Sequence, residues 1–446
     1  MKSSRWILVI SLTLPAWAQD PLSLAEAVRL ALGQHPSIEA SAARVDAADA
    51  KVKQAQSGYL PQLNWRETVD GSNNPVYVFG SKLNQRNFEP ADFDPHFLNA
   101  PGFYNNFQSQ MILEQTLYDA GQTKNRKKSA KLGKVIAEER ARGTSQHVIA
   151  NVVRAYHGVV LAAEGLKVAE EAVKSAEADL ERAVSVRAAG MATDADVLSI
   201  KVHLAAMKEQ QIARGYDLEV ARSALNEALG LPLDTKHDLT TPLRALPVTD
   251  RPLADLEQRA THERPELRQA TVAAEIAETQ GKLARSGYWP RVSGRAVFEL
   301  DRKEFVTNGG GNWYFGATMQ WNLFNGGGTK ERIQEAAHLA RGALAEKRRA
   351  DAGIRLQVRK ARADLMSATE RIGVATASVE QSEESLRITR NRYEAGLATV
   401  TDLLRTETAV MQSKTRRLAA VYDQRVAAAM LDLATGILSV DSEVLK

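Results

Sequence analysis

Apolar side chains recur along this chain with two different periods, and the period changes at matching places in its two halves. From about residue 122 to 189 no proline interrupts a helical pattern. Val152, Val159, Leu166, Val173 and Leu180 repeat every seven residues, with Ala155, Ala162, Ala169, Ala176 and Ala183 three places after each. That spacing predicts a coiled-coil seam, and alanine at every second seam position lets the helices approach closely. A run of about 68 residues would rise roughly 100 Å as a helix. A second run, about 328–395, has the same length. Gly190 and Gly396 end these rods as expected C-caps, and Thr193 and Thr399 are expected N-caps of returning helices at about 194–229 and 400–435. Each rod is therefore predicted to turn through a sharp helical hairpin. Shorter helices are expected at about 36–57 and 265–286.

Between the helices the period falls to two. In 313–323, Trp313, Phe315, Ala317, Met319, Trp321 and Leu323 alternate with smaller or polar residues. Phe107, Met111, Leu113 and Leu117 share one face of 107–117, and Val292, Ala296, Phe298 and Leu300 one face of 291–300. The segment 62–70 is weaker, with Leu63, Trp65 and Val69. Alternation over about ten residues with aromatics near the ends is the pattern of transmembrane β-strands. Eleven such residues rise about 36 Å, or about 25 Å when tilted by about 45°, which matches the apolar thickness of a membrane. Phe107, Met111, Leu113, Phe298, Trp313, Phe315, Met319 and Trp321 are the expected lipid-facing residues. Four strands cannot close a barrel, and each unsatisfied backbone group at an open edge in lipid costs several kcal/mol. Several chains must combine. Two would give eight strands and a lumen filled by its own side chains, whereas three would give twelve and leave room for a passage.

The chain is also written twice. Ser57-Gly58-Tyr59-Leu60-Pro61 returns as Ser286-Gly287-Tyr288-Trp289-Pro290, an offset of 229. Leu117-Tyr118-Asp119-Ala120-Gly121-Gln122-Thr123-Lys124 matches Leu323-Phe324-Asn325-Gly326-Gly327-Gly328-Thr329-Lys330 at an offset of 206, and so do Gly190 with Gly396 and Asp196 with Asp402. The offsets differ by 23 residues, a surplus that falls in the 71–105 loop of the first copy. The expected organisation is a leader at 1–18, repeat one at 19–240, a linker at 241–251, repeat two at 252–438 and a tail at 439–446.

Composition narrows the class. Lys2 and Arg5, the apolar run from Trp6 to Leu14 and the Ala16-Trp17-Ala18 site form the pattern of a secretory signal peptide. No stretch of 18 apolar residues is present to cross a bilayer as a helix. The chain of 446 residues has no cysteine, which excludes disulfides, thiolate metal sites and a cysteine nucleophile. Its net charge of +4 includes Lys2 and Arg5 of the leader, so charge points to no nucleic-acid partner. The eight histidines show no paired ligand spacing and are expected on solvated helix faces. Asn325-Gly326-Gly327-Gly328-Thr329-Lys330 lacks the order of a phosphate loop and is read as a flexible exit from strand to rod. No catalytic motif, metal site or cofactor is expected.

The tip segments Arg187-Ala188-Ala189-Gly190-Met191-Ala192-Thr193-Asp194-Ala195-Asp196-Val197-Leu198 and Arg392-Tyr393-Glu394-Ala395-Gly396-Leu397-Ala398-Thr399-Val400-Thr401-Asp402-Leu403-Leu404 carry a resemblance. With Tyr59-Leu60-Pro61 and Tyr288-Trp289-Pro290 before the strands, the chain resembles the TolC-like outer-membrane efflux channel family over about 20–440. The second tip is close to that family's pattern R-Y-x-x-G-x-x-x-x-x-D-[VL]-L. The resemblance implies a mainly α fold with a small β part: duplicated coiled-coil hairpins and four transmembrane strands per chain. It further implies a homotrimer with a 12-stranded outer-membrane barrel and an α-helical periplasmic tunnel. The tunnel would dock on a periplasmic adaptor and an inner-membrane pump of the RND or ABC kind, driven by proton flow or ATP. Arg187, Gly190, Thr193, Asp196, Arg392, Gly396 and Thr399 would then meet the adaptor, and Asp402 would ring a constriction. Arg405 stands where some members carry a second aspartate; it would instead pair with Asp402 across subunits and hold the tip shut. The 71–105 loop would face the cell exterior, either narrowing the exit or forming a surface epitope. The competing reading is a periplasmic coiled-coil adaptor or scaffold without a pore, which gives no reason for aromatic residues along one strand face.

Overall fold

A computed structural model describes residues 21–247 and 250–445; the leader expected at 1–18 lies outside them. The order of elements is β1 (Pro21–Leu22), α1 (Leu24–Gln34), α2 (Pro36–Ser57), β2 (Gln62–Ser72), α3 (Pro75–Asn84), α4 (Pro95–Asn99), β3 (Tyr104–Tyr118), α5 (Gln122–Ala188), α6 (Asp194–Leu229), β4 (Asp238–Leu239), α7 (Leu253–Glu263), α8 (Pro265–Arg285), β5 (Arg291–Arg302), β6 (Gly310–Gln320), α9 (Gly328–Glu394) and α10 (Val400–Thr435). The fold is mainly α with a small β part. The two rods α5 and α9 each run 67 residues without a break, and the returning helices α6 and α10 each run 36. No helix among the described residues is long and apolar enough to cross a membrane.

The chain folds as two compact units. The first holds the described parts of residues 1–42, 141–267 and 351–446, and is helical. Its core gathers Leu24, Ala27 and Val28 of α1 with Val152, Val153 and Tyr156 of α5, Leu225 and Leu229 of α6, and Ala428 and Leu433 of α10. Along the predicted seam, Val152, Val159, Ala169, Val173, Ala176 and Ala183 are buried. The helix α1, absent from the sequence reading, is opened by Ser23, whose hydroxyl accepts from the Glu26 amide while the Glu26 carboxylate accepts from the Ser23 amide. The buried Tyr156 hydroxyl donates to the Leu22 carbonyl at 2.8 Å and accepts from the Thr241 amide at 2.9 Å. This bond pair lies where β1 and β4 pair in parallel. The C-terminal segment is packed rather than trailing, with Leu438, Val444 and Leu445 buried in the same core. His157 corrects the expectation of solvated histidines: it is fully buried, and burial with the charge of Arg425 pushes its pKa down to about 4.

Both returning helices end on a left-handed glycine, Gly230 after α6 and Gly436 after α10. Each glycine packs against the junction of a short and a longer helix. A side chain at Gly230 would meet His35 and Pro36, and one at Gly436 would meet the backbone of Glu263 and Arg264 at 2.8–2.9 Å. The same contact therefore occurs once in each half of the chain.

The second unit, residues 43–140 and 268–350, holds one antiparallel sheet in the order β2-β3-β5-β6. Register places Trp65, Met111, Phe298 and Trp313 in one row, and Leu63, Leu113, Ala296 and Phe315 in the next, all on one face. Trp313 and Phe315 are 70% and 74% exposed, and Met111, Leu113 and Met319 are also exposed. Phe107 and Phe298 are half-buried, because Phe107 meets Phe305 and Phe298 lies 4.6 Å from Trp313, centroid to centroid. One polar group interrupts this face: Arg302 donates to Glu67 at 2.7 Å and to Ser109 at 2.6 Å. The opposite face is polar, with Arg66, Asp70, Gln108, Gln110, Glu299 and Asp301.

Two sequence expectations are corrected here. The last strand runs from 310 to 320, not from 313 to 323, so Trp321 lies outside it. Pairing stops where its partner β5 begins, at Arg291 opposite Gln320, and the Trp321 indole N–H turns to the Tyr288 carbonyl at 3.0 Å. The supposed flexible exit is an ordered cap: Asn325 accepts from the Thr329 amide, as Asp119 accepts from the Thr123 amide in the first half.

Replacing Gly436 by alanine forces a Cβ into backbone at a φ of +78°. The expected loss is about 1–3 kcal/mol, read as a lowered urea midpoint of the purified protein. An unchanged midpoint would show that the cap is not needed.

Candidate functional site at the helical tips

The rods of the first unit end in two turns of the same construction. At the first, the Gly190 amide donates to the Arg187 carbonyl at 2.8 Å and the Met191 amide to the Val186 carbonyl at 3.1 Å. At the second, the Gly396 amide donates to Tyr393 at 3.0 Å and the Leu397 amide to Arg392 at 2.8 Å. This pairing closes a helix on a left-handed glycine, and φ is +77° at Gly190 and +73° at Gly396. Three residues on, Thr193 and Thr399 open α6 and α10 with capping boxes. Asp196 and Asp402 fill the same place in these boxes, each carboxylate accepting from the threonine amide and hydroxyl. Hydrogen bonds from Thr399, first from its hydroxyl and then from its amide, hold the Asp402 carboxyl below its usual range. Those from Thr193 do the same for Asp196.

The structure brings the two tips side by side. Ala183, Val197, Ile200 and Val400 form a small buried cluster, covered by Leu180, Tyr393 and Leu404. Arg182 of α5 pairs with Glu394 of α9 at 2.9 Å, and Arg187 pairs with Asp194 at 2.6 Å across its own turn. Arg392 reaches the Leu397 carbonyl at 3.4 Å. Asp402 and Arg405 are both exposed, and among the described residues no ion pair joins them within the chain. Met191 and Leu397, at the crests of the two turns, are 75% and 69% exposed.

The sequence reading missed a charged cluster deeper between the same four helices. Arg390 of α9 donates to Ser175 of α5 at 2.9 Å and to Glu407 of α10 at 2.7 Å, and lies 3.4 Å from Asp179 of α5. Ser175 donates to Glu407 at 3.0 Å, and His203 of α6 places Nε2 at 3.5 Å from the other Glu407 oxygen. Arg182 stands 3.6 Å from Asp179. Both carboxylates are buried; Arg390 stands between them, and Arg182 reaches Asp179 from one side. Burial first, then the hydrogen bond and charge of Glu407, push the Asp179 pKa up to about 7. Burial also acts against the charge of Glu407, but the bonds from His203, Asp179 and Ser175 and the charge of Arg390 outweigh it and hold its pKa low. The shared proton of the pair therefore resides on Asp179 rather than Glu407. A cavity of about 200 Å³, lined by Ser175, His203, Met207, Glu407, Met411 and Lys414, adjoins the cluster. The signal in the sequence was weak: Asp179, Arg390 and Glu407 are ordinary helix residues, and only packing shows which of many charges point inward.

Comparison with known proteins agrees with this architecture. The family model described as outer membrane efflux protein matches residues 27–231 and 256–437, one stretch in each half. The outer membrane protein TolC of Vibrio cholerae is 23% identical over 438 residues, covering 96% of this chain and 93% of that protein. The alkaline protease secretion protein AprF of Pseudomonas aeruginosa is 23% identical over 350 residues, covering 75% and 70%. Among solved structures, the CmeC outer membrane channel of Campylobacter jejuni superposes with a TM-score of 0.79 at 16% identity, over 100% of this chain and 95% of that one.

The Asp179 pKa raised from an unfolded value near 3.8 to about 7 means that the folded chain binds more protons between those limits. This contribution to stability is complete below the lower value and is lost as pH rises through the upper one. Asp179→Asn mimics the protonated side chain. Its melting temperature is expected to match the native one at about pH 3, below both values, and to exceed it by a margin that grows as pH rises to about 8. A difference that does not change with pH would rule out the shared proton.

Proposed function

The chain belongs to the outer membrane efflux protein family and is an outer-membrane exit channel that extends into the periplasm, and from that premise we propose that it works as a homotrimer. The observation that carries this reading is the sheet: the edges β2 and β6 are unpaired in the single chain, and the face bearing Trp65, Trp313, Phe315 and Met319 is exposed. Pairing the β2 of one copy with the β6 of the next closes twelve strands, satisfies every edge and turns the aromatic face to lipid. Phe107, Phe298, Met111 and Leu113 lie in this same lipid-facing set. The polar face lines the lumen, and the helical units are the periplasmic part of the channel.

The tips are the docking end for a periplasmic adaptor coupled to an inner-membrane pump of the RND or ABC kind. Met191 and Leu397 support this, since an apolar side chain at the crest of a polar turn is suited to a partner's pocket. Arg187, Gly190, Thr193, Asp196, Arg392, Gly396 and Thr399 shape the turns that present them. Asp402, ionised and with one carboxylate oxygen outside the cap, is the acidic residue of the constriction, and Arg405 is its counter-charge from a neighbouring copy. The cargo is either small molecules or polypeptide; the name of AprF, a protease secretion protein, supports the second.

The purified protein in detergent is expected at three times the mass of one chain, with discrete openings in a planar bilayer. Asp402→Asn keeps the cap acceptor and removes the charge, so it is expected to lower cation preference, and Asp402→Lys to change gating outright. Unaltered single-channel behaviour in both would remove Asp402 from the constriction. Met191→Glu with Leu397→Glu is expected to abolish export in cells while leaving bilayer conductance unchanged.

A further inference from the structure

Residues 73–103, between β2 and β3, hold the surplus of the first copy, and they are folded. Asn74 caps α3, accepting from the Tyr77 amide at 3.2 Å, and Asp94 caps α4. Phe88 stands edge-on to both Phe79 and Phe93, at 5.0 Å between centroids in each case. Lys82 pairs with Asp92 at 2.5 Å. A segment with its own aromatic cluster, caps and ion pair is a small structured body.

The side-chain hydrogen bonds that fasten that body to the strands lie on one face of the sheet, while Phe103 at its end lies over Gly71 on the other. The Tyr77 hydroxyl donates to Asp70 at 2.6 Å. Gln85 donates to the Asn105 carbonyl at 3.0 Å and to the Asn106 side chain at 2.9 Å, and accepts from Tyr104 at 2.8 Å. Asn106 in turn donates to Asp301 at 2.8 Å. Arg86 donates to the Gly311 carbonyl at 3.0 Å, and Gly310 is glycine because a Cβ would overlap the Asn84 carbonyl. Asp70, Asn106 and Asp301 all belong to the polar face, at the strand ends opposite those joined to the long helices. Val78, Ser81 and Gln85, one stripe of the helix and its cap, are buried, and Gln85 is bonded to that face. The reverse side of α3 carries Val76, 81% exposed, and Leu83, 47% exposed.

We propose that residues 73–103 form a plug inside the outer mouth of the barrel, and that Val76 and Leu83 of the three copies make an apolar constriction at the exit. This rests on the trimeric-barrel reading, in which the polar face is the lumen. A helix fixed to that face by Gln85 and Arg86 projects its other side toward the pore axis. An apolar ring there raises the barrier to small ions, whose hydration shell it cannot replace, and leaves a weaker barrier to cargo with apolar surface.

The test is single-channel recording of the full protein with potassium chloride as the probe. Both residues are exposed, so Val76→Ser with Leu83→Ser leaves the fold intact and is expected to raise conductance severalfold. Val76→Asp with Leu83→Asp is expected to add a preference for cations. Because the chain has no cysteine, Val76→Cys provides a single thiol, and a bulky thiol reagent is expected to cut the current. Channels with unchanged conductance, ion preference and reagent response in all three variants would overturn the plug and leave the trimeric channel standing. A native protein that forms no channel would overturn the parent reading, and the plug with it.

Discussion

A β-sheet can enter a membrane only if no backbone amide or carbonyl is left facing lipid, and the four-stranded sheet of this chain leaves two such rows. Roughly five donors and five acceptors per edge, at several kcal/mol each, amount to far more than the stability of an ordinary domain. The single chain cannot hold its own aromatic face in a bilayer. Under the proposed trimer that deficit becomes the force of assembly, because the same edges that exclude the monomer pair with one another. The internal duplication fits this logic, since each copy supplies one strand hairpin and one rod with its return. Equal rods of 67 residues let both hairpins end at the same level.

The helical unit solves a different problem. Coiled-coil seams rich in alanine pack tightly but bury little area per residue, so long helices need extra cross-links. The chain supplies them as charges between helices: Arg182 with Glu394, Lys208 with Glu177, and Lys414 with both Glu171 and Glu383. Exposed pairs of this kind contribute little individually. The buried group of Asp179, Arg390, Glu407, Ser175 and His203 differs in kind. Its two acids are buried, Arg390 is half-buried between them, and the group joins all four helices at one level. Breaking a buried network is costly, whereas exposed pairs exchange with water freely. The cluster therefore fixes the register of one hairpin against the other more firmly than the tips themselves do. The tips stay available for a partner, with their polar atoms satisfied internally by the two capping boxes.

Much of this was legible from the residues. Heptads, a proline-free run, and glycine and threonine at fixed offsets mark the rods and their turns, because helix periodicity and capping are local. Strand faces were legible too, since alternation by two is also local. The short helices α1 and α7 were missed, their lengths of 11 residues being easily hidden beside a proline. The last strand was placed three residues late, because alternation continues through Trp321 and Leu323 after pairing has stopped. Asp402 was singled out from the sequence as a constriction residue, and the structure gives it the same capping geometry as its counterpart Asp196, which residue type alone did not reveal.

By itself, then, the sequence determined the duplication, the period of each element, the caps and the division of each strand into an apolar and a polar face. All of these depend on neighbours within a few positions along the chain. Only the tertiary structure decided which charges turn inward, since Asp179 and Glu407 differ from dozens of other acidic helix residues only in what surrounds them. Likewise, only folding showed that the helix of the 73–103 segment is bonded to the polar face, through Gln85 and Arg86 to strands as far away as Gly311. Contacts that span more than two hundred residues leave no periodic trace, because they are selected by shape and by unsatisfied polar groups rather than by spacing.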